Sequence, residues 1–274
     1  MKRPIIVAEI GINHQGDFEL AKKMTTTALG LGADYVKFQA REPEFCVPRD
    51  QWDKPKLTPW GETMSYLEYR EKMEFSSKQL FELFSLAKGR MFVSVFDIFS
   101  LDKAMKVGFH KIKIPSAMLT NIELLQASAD SGREVIISTG MSTREEIMTG
   151  IRFFSGQKIT IMHCNSSYPT KDEETNLKAL GVLKSTFPQH SIGFSSHNTS
   201  PYPAIYAMAL GAEMIELHFT LDRTMHGSDH AASLEPAGLA LVTRERDRLM
   251  KVMGDGILKV YDSEKSARAK LRGG

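Results

Sequence analysis

Ser191-Ile-Gly-Phe-Ser-Ser-His197 and Met214-Ile-Glu-Leu-His218 bound the stretch whose reading decides the fold. Each is a short apolar run that finishes in polar residues. Between them, Pro201 to Gly211 is rich in small residues and reads as a helix. Strand, helix, strand is one parallel crossover unit, and such a unit delivers both strand ends to the same edge of a sheet. His197 and His218 then stand side by side at the carboxyl edge, where open and closed α/β folds bind ligands. Adjacent imidazoles suit a divalent metal. Taken singly, each histidine reads better as an ordinary strand-end residue, and it is their matched placement that favours a site.

Working outward, similar runs recur along the chain. Strands are expected at Ile5–Glu9, Tyr35–Gln39, Met91–Val95, Lys111–Ile114, Glu134–Ser138, Lys158–His163, Ser191–Ser195 and Glu213–His218. They are rich in Val and Ile with little alternation, the signature of strands covered on both faces. Amphipathic stretches such as Phe18–Leu31, Ser77–Lys88, Asn121–Ser131 and Thr143–Phe154 lie between them, and Gly32, Gly89 and Gly132 mark helix stops. Strands alternating with helices in this number predict a TIM (β/α)8 barrel, a single α/β domain over residues 1–252. Residues 253–274 are expected to be a solvated tail. A doubly wound open sheet is the structural alternative, but no GxGxxG follows the first strand.

Composition narrows the classes. A chain of 274 residues with a 42% hydrophobic share fits one large domain with a full core. The net charge is only +2, and no basic stripe is interleaved with aromatics, so nothing argues for nucleic acid. Cys46 and Cys164 have neither CxxC nor metal-finger spacing, which suggests a reducing compartment. The N-terminal apolar run is too short for a signal peptide or a membrane span, and a cytoplasmic protein is expected.

Two connections exceed plain loops. Residues 40–75 carry Trp52, Trp60 and four prolines, and residues 219–232 carry Asp222, His226, Asp229 and His230. Long excursions after strands shape or cover a pocket, although the first could instead form an interface or a barrel plug.

If the strands are right, their carboxyl ends carry Glu9, Lys37 with Gln39, Lys113 with Ser116, Ser138 with Thr139, His163, Ser195 with His197, and His218. Such residues do not belong in an apolar barrel interior and mark an active-site face. Two lysines and several serines converging there describe an anion site, most naturally for phosphate. A metal beside it, facing a carboxylate, suits the polarisation of a carbonyl next to a phosphorylated substrate. Duller readings exist: Glu9 as a turn cap, Ser138 as a strand-end hydroxyl, or Lys37 as a Schiff-base lysine. His163 reads as packed, and His14, His110 and His190 as structural or exposed.

The residues also carry a family resemblance. Ala8-Glu-Ile-Gly-Ile-Asn-His-Gln-Gly16 closely resembles the opening motif of the N-acetylneuraminate (sialic acid) synthases. Val36–Gln39, Ser138–Met141, His163–Thr170, Gly193–His197 and Glu216–Thr220 follow in the family's order, so the likeness spans about Ile5 to Leu249. The resemblance implies a TIM barrel that condenses phosphoenolpyruvate with an N-acyl hexosamine, usually N-acetylmannosamine. It also implies a divalent metal such as Mn²⁺, with Mg²⁺ or Co²⁺ as alternatives. By position it makes His197 and His218 the metal ligands. It assigns Lys37, Lys113, Ser116, Ser138 and Ser195 to phosphoenolpyruvate, with Gln39, Ser166 and Tyr168 in the substrate pocket. Glu9 and Asp229 fall beside the metal and its water, as the acid–base pair.

Departures accompany the match. Ser196 stands where the family often has Asp, and Val95 where a threonine is common. Met118 stands at an expected sugar-side carboxylate, and Ser166 replaces an asparagine. The changes are expected to fall on the sugar side. Members of the family usually continue into a small antifreeze-like domain that reaches the partner subunit's pocket. The expectation here is that any homodimer uses barrel surface, or that a separate protein supplies that domain. A non-catalytic homologue that binds a phosphorylated ligand is the rival reading.

Overall fold

The computed structural model describes residues 2–58 and 61–272, so Trp60 lies outside the described residues. The chain runs β1 (Ile5–Gly11), α1 (Phe18–Gly30), β2 (Tyr35–Ala40), α2 (Pro43–Cys46), β3 (Pro55–Leu57), β4 (Thr63–Ser65), α3 (Tyr66–Lys72), α4 (Ser77–Leu86) and β5 (Met91–Val95). It continues α5 (Ile98–Val107), β6 (Lys111–Ile114), α6 (Ile122–Asp130), β7 (Glu134–Ser138), α7 (Arg144–Arg152), β8 (Thr160–His163), α8 (Ala179–Thr186) and β9 (Ser191–Ser196). The last elements are α9 (Tyr202–Ala209), β10 (Met214–His218), α10 (Pro236–Val252) and α11 (Asp262–Arg272).

Eight strands close into a parallel barrel in the order β1-β10-β9-β8-β7-β6-β5-β2, while β3 and β4 form a separate antiparallel hairpin. Each expected strand is present, with ends shifted by up to two residues. β1 runs on to Gly11 because its register with β2 slips between Glu9 and Gly11. Gly11 holds a φ of +56°, which glycine adopts without a Cβ penalty.

The strand period of two separates three environments. Outward residues such as Ile6, Ala8, Val36, Phe38, Ile112 and Ile137 pack beneath the helices in one large cluster. Inward residues low in the barrel, Val7, Phe92, Ile136, Met162 and Met214, form a second, apolar floor. Two positions further along the same strands the inward residues become Glu9, Ser94, Ser138, Cys164 and Glu216. On one face these five strands are thus apolar low in the barrel and carry a carboxylate, hydroxyl or thiol above. Gly193 sits in the floor layer because a Cβ there would meet the Met162 sulfur at 2.3 Å and the Met214 carbonyl at 2.6 Å.

The excursion after β2 is structured: α2, the β3–β4 hairpin and α3, whose capping box joins Ser65 and Glu68. Trp52 is tied down by its indole N–H donating to the Val47 carbonyl at 2.9 Å. Among the described residues, no helix is long and apolar enough to cross a membrane. The segment after Met253 is exposed as expected, but part of it is the helix α11, none of whose residues is buried.

Candidate active site

One cavity of about 300 Å³ opens at the carboxyl edge of the barrel. Twelve of the residues singled out from the sequence line it: Glu9, Lys37, Gln39, Lys113, Ser116, Ser138, Ser166, Tyr168, Ser195, His197, His218 and Asp229. Strand register places several of them level. Glu9 stands opposite both Lys37 on β2 and His218 on β10, Ser94 opposite Lys113, and Ser195 opposite Glu216.

The floor of the cavity is a buried charge quartet. Lys37 Nζ lies 2.6 Å from Glu9 Oε2 and 3.9 Å from Glu216 Oε1, and it donates to Ser94 Oγ at 2.5 Å. Lys113 pairs with Glu216, which also accepts from Ser195 Oγ at 3.0 Å. Burial alone would push the Glu216 carboxyl up, but the Lys113 and Lys37 ammonium groups outweigh it and hold the group below the usual carboxylate range. Two cations and two anions balance here. The Ser138 hydroxyl and Glu216 Oε2 are buried without a hydrogen-bond partner among the described residues. Such groups are expensive to leave unpaired unless a ligand completes them.

The histidines occupy the opposite wall, their ring centroids 5.3 Å apart. His197 Nδ1 faces the Asn165 carbonyl, which can only accept, so the proton sits on Nδ1. Nε2 is then the free lone pair, and the Tyr168 hydroxyl donates to it at 2.8 Å. Burial, helped by the nearby His218 and Lys113 charges, lowers the His197 pKa to about 3, so the ring is neutral. Tyr168 stacks on His197 with centroids 4.0 Å apart, and desolvation with Asp229 nearby keeps its hydroxyl protonated. His218 Nδ1 is buried with no hydrogen-bond partner and lies 3.8 Å from Asp229 Oδ2. The ring nitrogens of His197 and His218, with the Asp229 carboxylate beside them, are a donor set that fits a divalent ion. Among the described residues, no group of three or more His, Cys, Asp or Glu side chains forms a ready cage. The fit is therefore to an open site, in which substrate or water fills the remaining positions.

Several lining residues escaped sequence reasoning. Glu216 lies two positions before His218 on the same strand face, a signal that strand periodicity carries. Ser94 is found by the same period on β5. Arg41 and Arg70 come from the excursion, where no period sets direction; Arg41 donates to Gln39 Oε1 at 2.5 Å and its guanidinium lies 3.9 Å from the Phe96 ring centroid. Two expected sugar-side substitutions are corrected. Val95 points outward into the core beneath the helices, and Met118 packs against that same core, so neither lines the cavity. Ser166 does line it. His163 donates through Nε2 to the Thr175 carbonyl, 2.9 Å away, and does not line the cavity. His14 is buried and stacked on Phe75, and His190 is packed at the end of α8.

Comparison with known proteins agrees with this arrangement. The sequence profile of the NeuB family matches residues 24–258. The N,N'-diacetyllegionaminic acid synthase of Campylobacter jejuni is 38% identical over 96% of this chain and 81% of its own length. The N-acetylneuraminate-9-phosphate synthase of Mus musculus is 35% identical over 97% of this chain and 76% of its own length. Among solved structures, the N-acetylneuraminic acid synthetase of Leptospira borgpetersenii, in complex with citrate, superposes with a TM-score of 0.85 at 34% identity. It covers 99% of this chain and 93% of that one. A match of this extent, on a barrel whose strand-end lysines, serines and paired histidines meet in one cavity, makes the chain a member of the NeuB family.

Proposed function

We propose that the protein condenses phosphoenolpyruvate with an N-acyl hexosamine, giving a sialic or related nonulosonic acid and phosphate. The observation that carries this reading is the convergence of Lys37, Lys113, Ser116, Ser138 and Ser195 opposite the His197–His218 pair, in a single cavity. The lysines and hydroxyls suit a trianionic ligand. As it enters, Lys37 and Lys113 exchange part of their contact with Glu9 and Glu216 for its phosphate and carboxylate oxygens. A divalent ion such as Mn²⁺, held by His197 and His218, would polarise the aldehyde of the open-chain sugar.

Carbon 3 of phosphoenolpyruvate then bonds to the aldehyde carbon, and the aldehyde oxygen takes a proton. Water adds at carbon 2, and departure of inorganic phosphate leaves the ketone of the 2-keto acid. Glu9 and Asp229 flank the reacting groups and are assigned the proton transfers. Tyr168, stacked on His197, orients the sugar. The Schiff-base alternative for Lys37 is disfavoured, because its Nζ is already engaged by the Glu9 carboxylate at 2.6 Å and by the Ser94 hydroxyl.

Turnover tests the reading. Purified protein with Mn²⁺, phosphoenolpyruvate and a panel of N-acyl hexosamines should release phosphate only when a sugar acceptor is present. No release with any acceptor, or release independent of the acceptor, would favour the non-catalytic homologue instead.

A further inference from the structure

We propose that Arg41 is a positioning residue for the condensation, acting through the Gln39 amide on the Glu9 carboxylate; this rests on the synthase reading above. Arg41 is the first residue after β2, two positions beyond Gln39, and it lines the cavity. Its guanidinium donates to Gln39 Oε1 at 2.5 Å, while Gln39 Nε2 donates to Glu9 Oε1 at 3.4 Å. Lys37 Nζ stands 2.6 Å from the other oxygen of that carboxylate. These side chains form one line from the wall of the cavity to its floor. Gly11 marks where the line arrives. A Cβ at Gly11 would lie 3.2 Å from Glu9 Oε1, 3.3 Å from Gln39 Nε2 and 3.6 Å from Asp229 Oδ2. The amide nitrogen and one oxygen from each carboxylate assigned to proton transfer therefore surround a single small space.

The lengths of the contacts decide which member holds the others. A guanidinium has only donors, so the Gln39 atom that meets it is the carbonyl oxygen, and the NH2 end is turned towards Glu9. At 3.4 Å the contact with Glu9 is longer than an ordinary N–H···O bond and does not by itself fix so flexible a side chain. The charge-assisted contact to Arg41 is the short one. Arg41 is in turn held in place. Its guanidinium lies 3.9 Å from the Phe96 ring centroid, its Nε is buried, and its backbone N–H donates to Glu74 Oε2 at 3.0 Å. These contacts set the guanidinium into the wall, and the Gln39 amide is what it presents to the reacting groups. Removing the guanidinium frees Gln39 to rotate. Glu9 then keeps its ammonium partner but loses the donor on the oxygen that shares the Gly11 space with Asp229.

Arg41→Met, Gln39→Ala and the double variant test the role, assayed with Mn²⁺, phosphoenolpyruvate and the best N-acyl hexosamine of the panel. Arg41→Met should lower kcat about tenfold and leave KM for both substrates within about twofold, since a misplaced proton-transfer group slows the step without weakening binding. Arg41→Lys keeps a donor for Gln39 Oε1 and should recover part of the loss. In the Gln39→Ala background, Arg41→Met should cost kcat nothing further, because the two residues act in one line. A loss carried by KM, an unchanged kcat in Arg41→Met, or losses that multiply in the double variant would overturn the role. The side-chain NH2 resonances of Gln39 in ¹⁵N NMR spectra of the protein alone give a readout free of activity, identified by their disappearance in Gln39→Ala. Arg41→Met should shift them and speed their exchange with solvent, whereas resonances that stay in place would remove the positioning role. If no acceptor is turned over, the synthase reading falls, and these resonances alone decide whether Arg41 holds Gln39. Melting curves of the variants separate all of these effects from unfolding.

Discussion

Lys113 illustrates how a single residue serves both fold and ligand. Its ammonium is the main partner of the buried Glu216, and Lys37 lies further from that carboxylate, at 3.9 Å. Lys113→Met should weaken phosphoenolpyruvate binding by about 2–4 kcal/mol, since a buried anion loses a charged partner. It should also destabilise the fold, by about 3–5 kcal/mol, because Glu216 is left undercompensated in a dry site. Adding Glu216→Gln should return most of the stability and none of the affinity. Calorimetry and denaturant unfolding on the single and double variants check this, and an unchanged dissociation constant in Lys113→Met would remove Lys113 from the ligand site. Lysines and histidines at strand ends stood out in the sequence because their chemistry is foreign to a barrel interior. Glu216 did not, since it sits mid-run between Ile215 and Leu217 and only its two-residue offset from His218 betrays it. Val95 and Met118 were misassigned for the converse reason: family position said sugar side, while the strand period and the turn after β6 direct them outward.

The elements divide into those that periodicity fixes and those that it does not. Barrel strands and their covering helices followed from apolar runs, glycine stops and alternation. The excursion between β2 and α4 did not, because a three-residue hairpin and a seven-residue helix are too short to display a period. Its anchor is local instead. Ser65 Oγ accepts from the Glu68 backbone N–H at 3.2 Å, and Glu68 Oε2 accepts from the Ser65 N–H at 2.9 Å. Ser76 and Gln79 repeat the device at the start of α4. Ser65→Ala should cost about 1 kcal/mol, felt within α3 because the exposed cap holds only that helix. Amide hydrogen exchange should therefore speed up about fivefold in α3 and stay unchanged in β5 and β7. Equal acceleration throughout would mean that the excursion and the barrel open as one unit.

At the scale of the whole molecule, two buried titratable groups beneath the excursion set opposing pH dependences. His14 is 1% exposed, stacked on Phe75, and accepts from the Gly16 backbone N–H through Nδ1 at 3.1 Å. Burial lowers its pKa to about 3. The unfolded chain therefore takes up a proton below about pH 6.5 that the folded protein refuses until near pH 3, and stability is lost as pH falls through that window. At pH 5 the loss from this group is about 2 kcal/mol. Glu74 acts in reverse: burial, only partly offset by the Arg41 guanidinium, raises its carboxyl to about 7. The folded protein keeps that proton after the unfolded chain has released it, so stability is lost as pH rises from about 4.5 towards 7. Across pH 5 to 6.5 the two contributions oppose each other, and the wild-type protein should show a shallow profile there. His14→Phe keeps the stack on Phe75 and removes one side of the balance. The absolute stability of that variant falls through the lost Gly16 hydrogen bond, but this offset is the same at every pH, so the slope is the informative quantity. Thermal melts from pH 5 to 7 should show the variant losing stability steadily as pH rises, with the wild type nearly level. A variant profile parallel to the wild type would mean that His14 is charged in the folded protein, and that its burial is relieved by motion of the excursion.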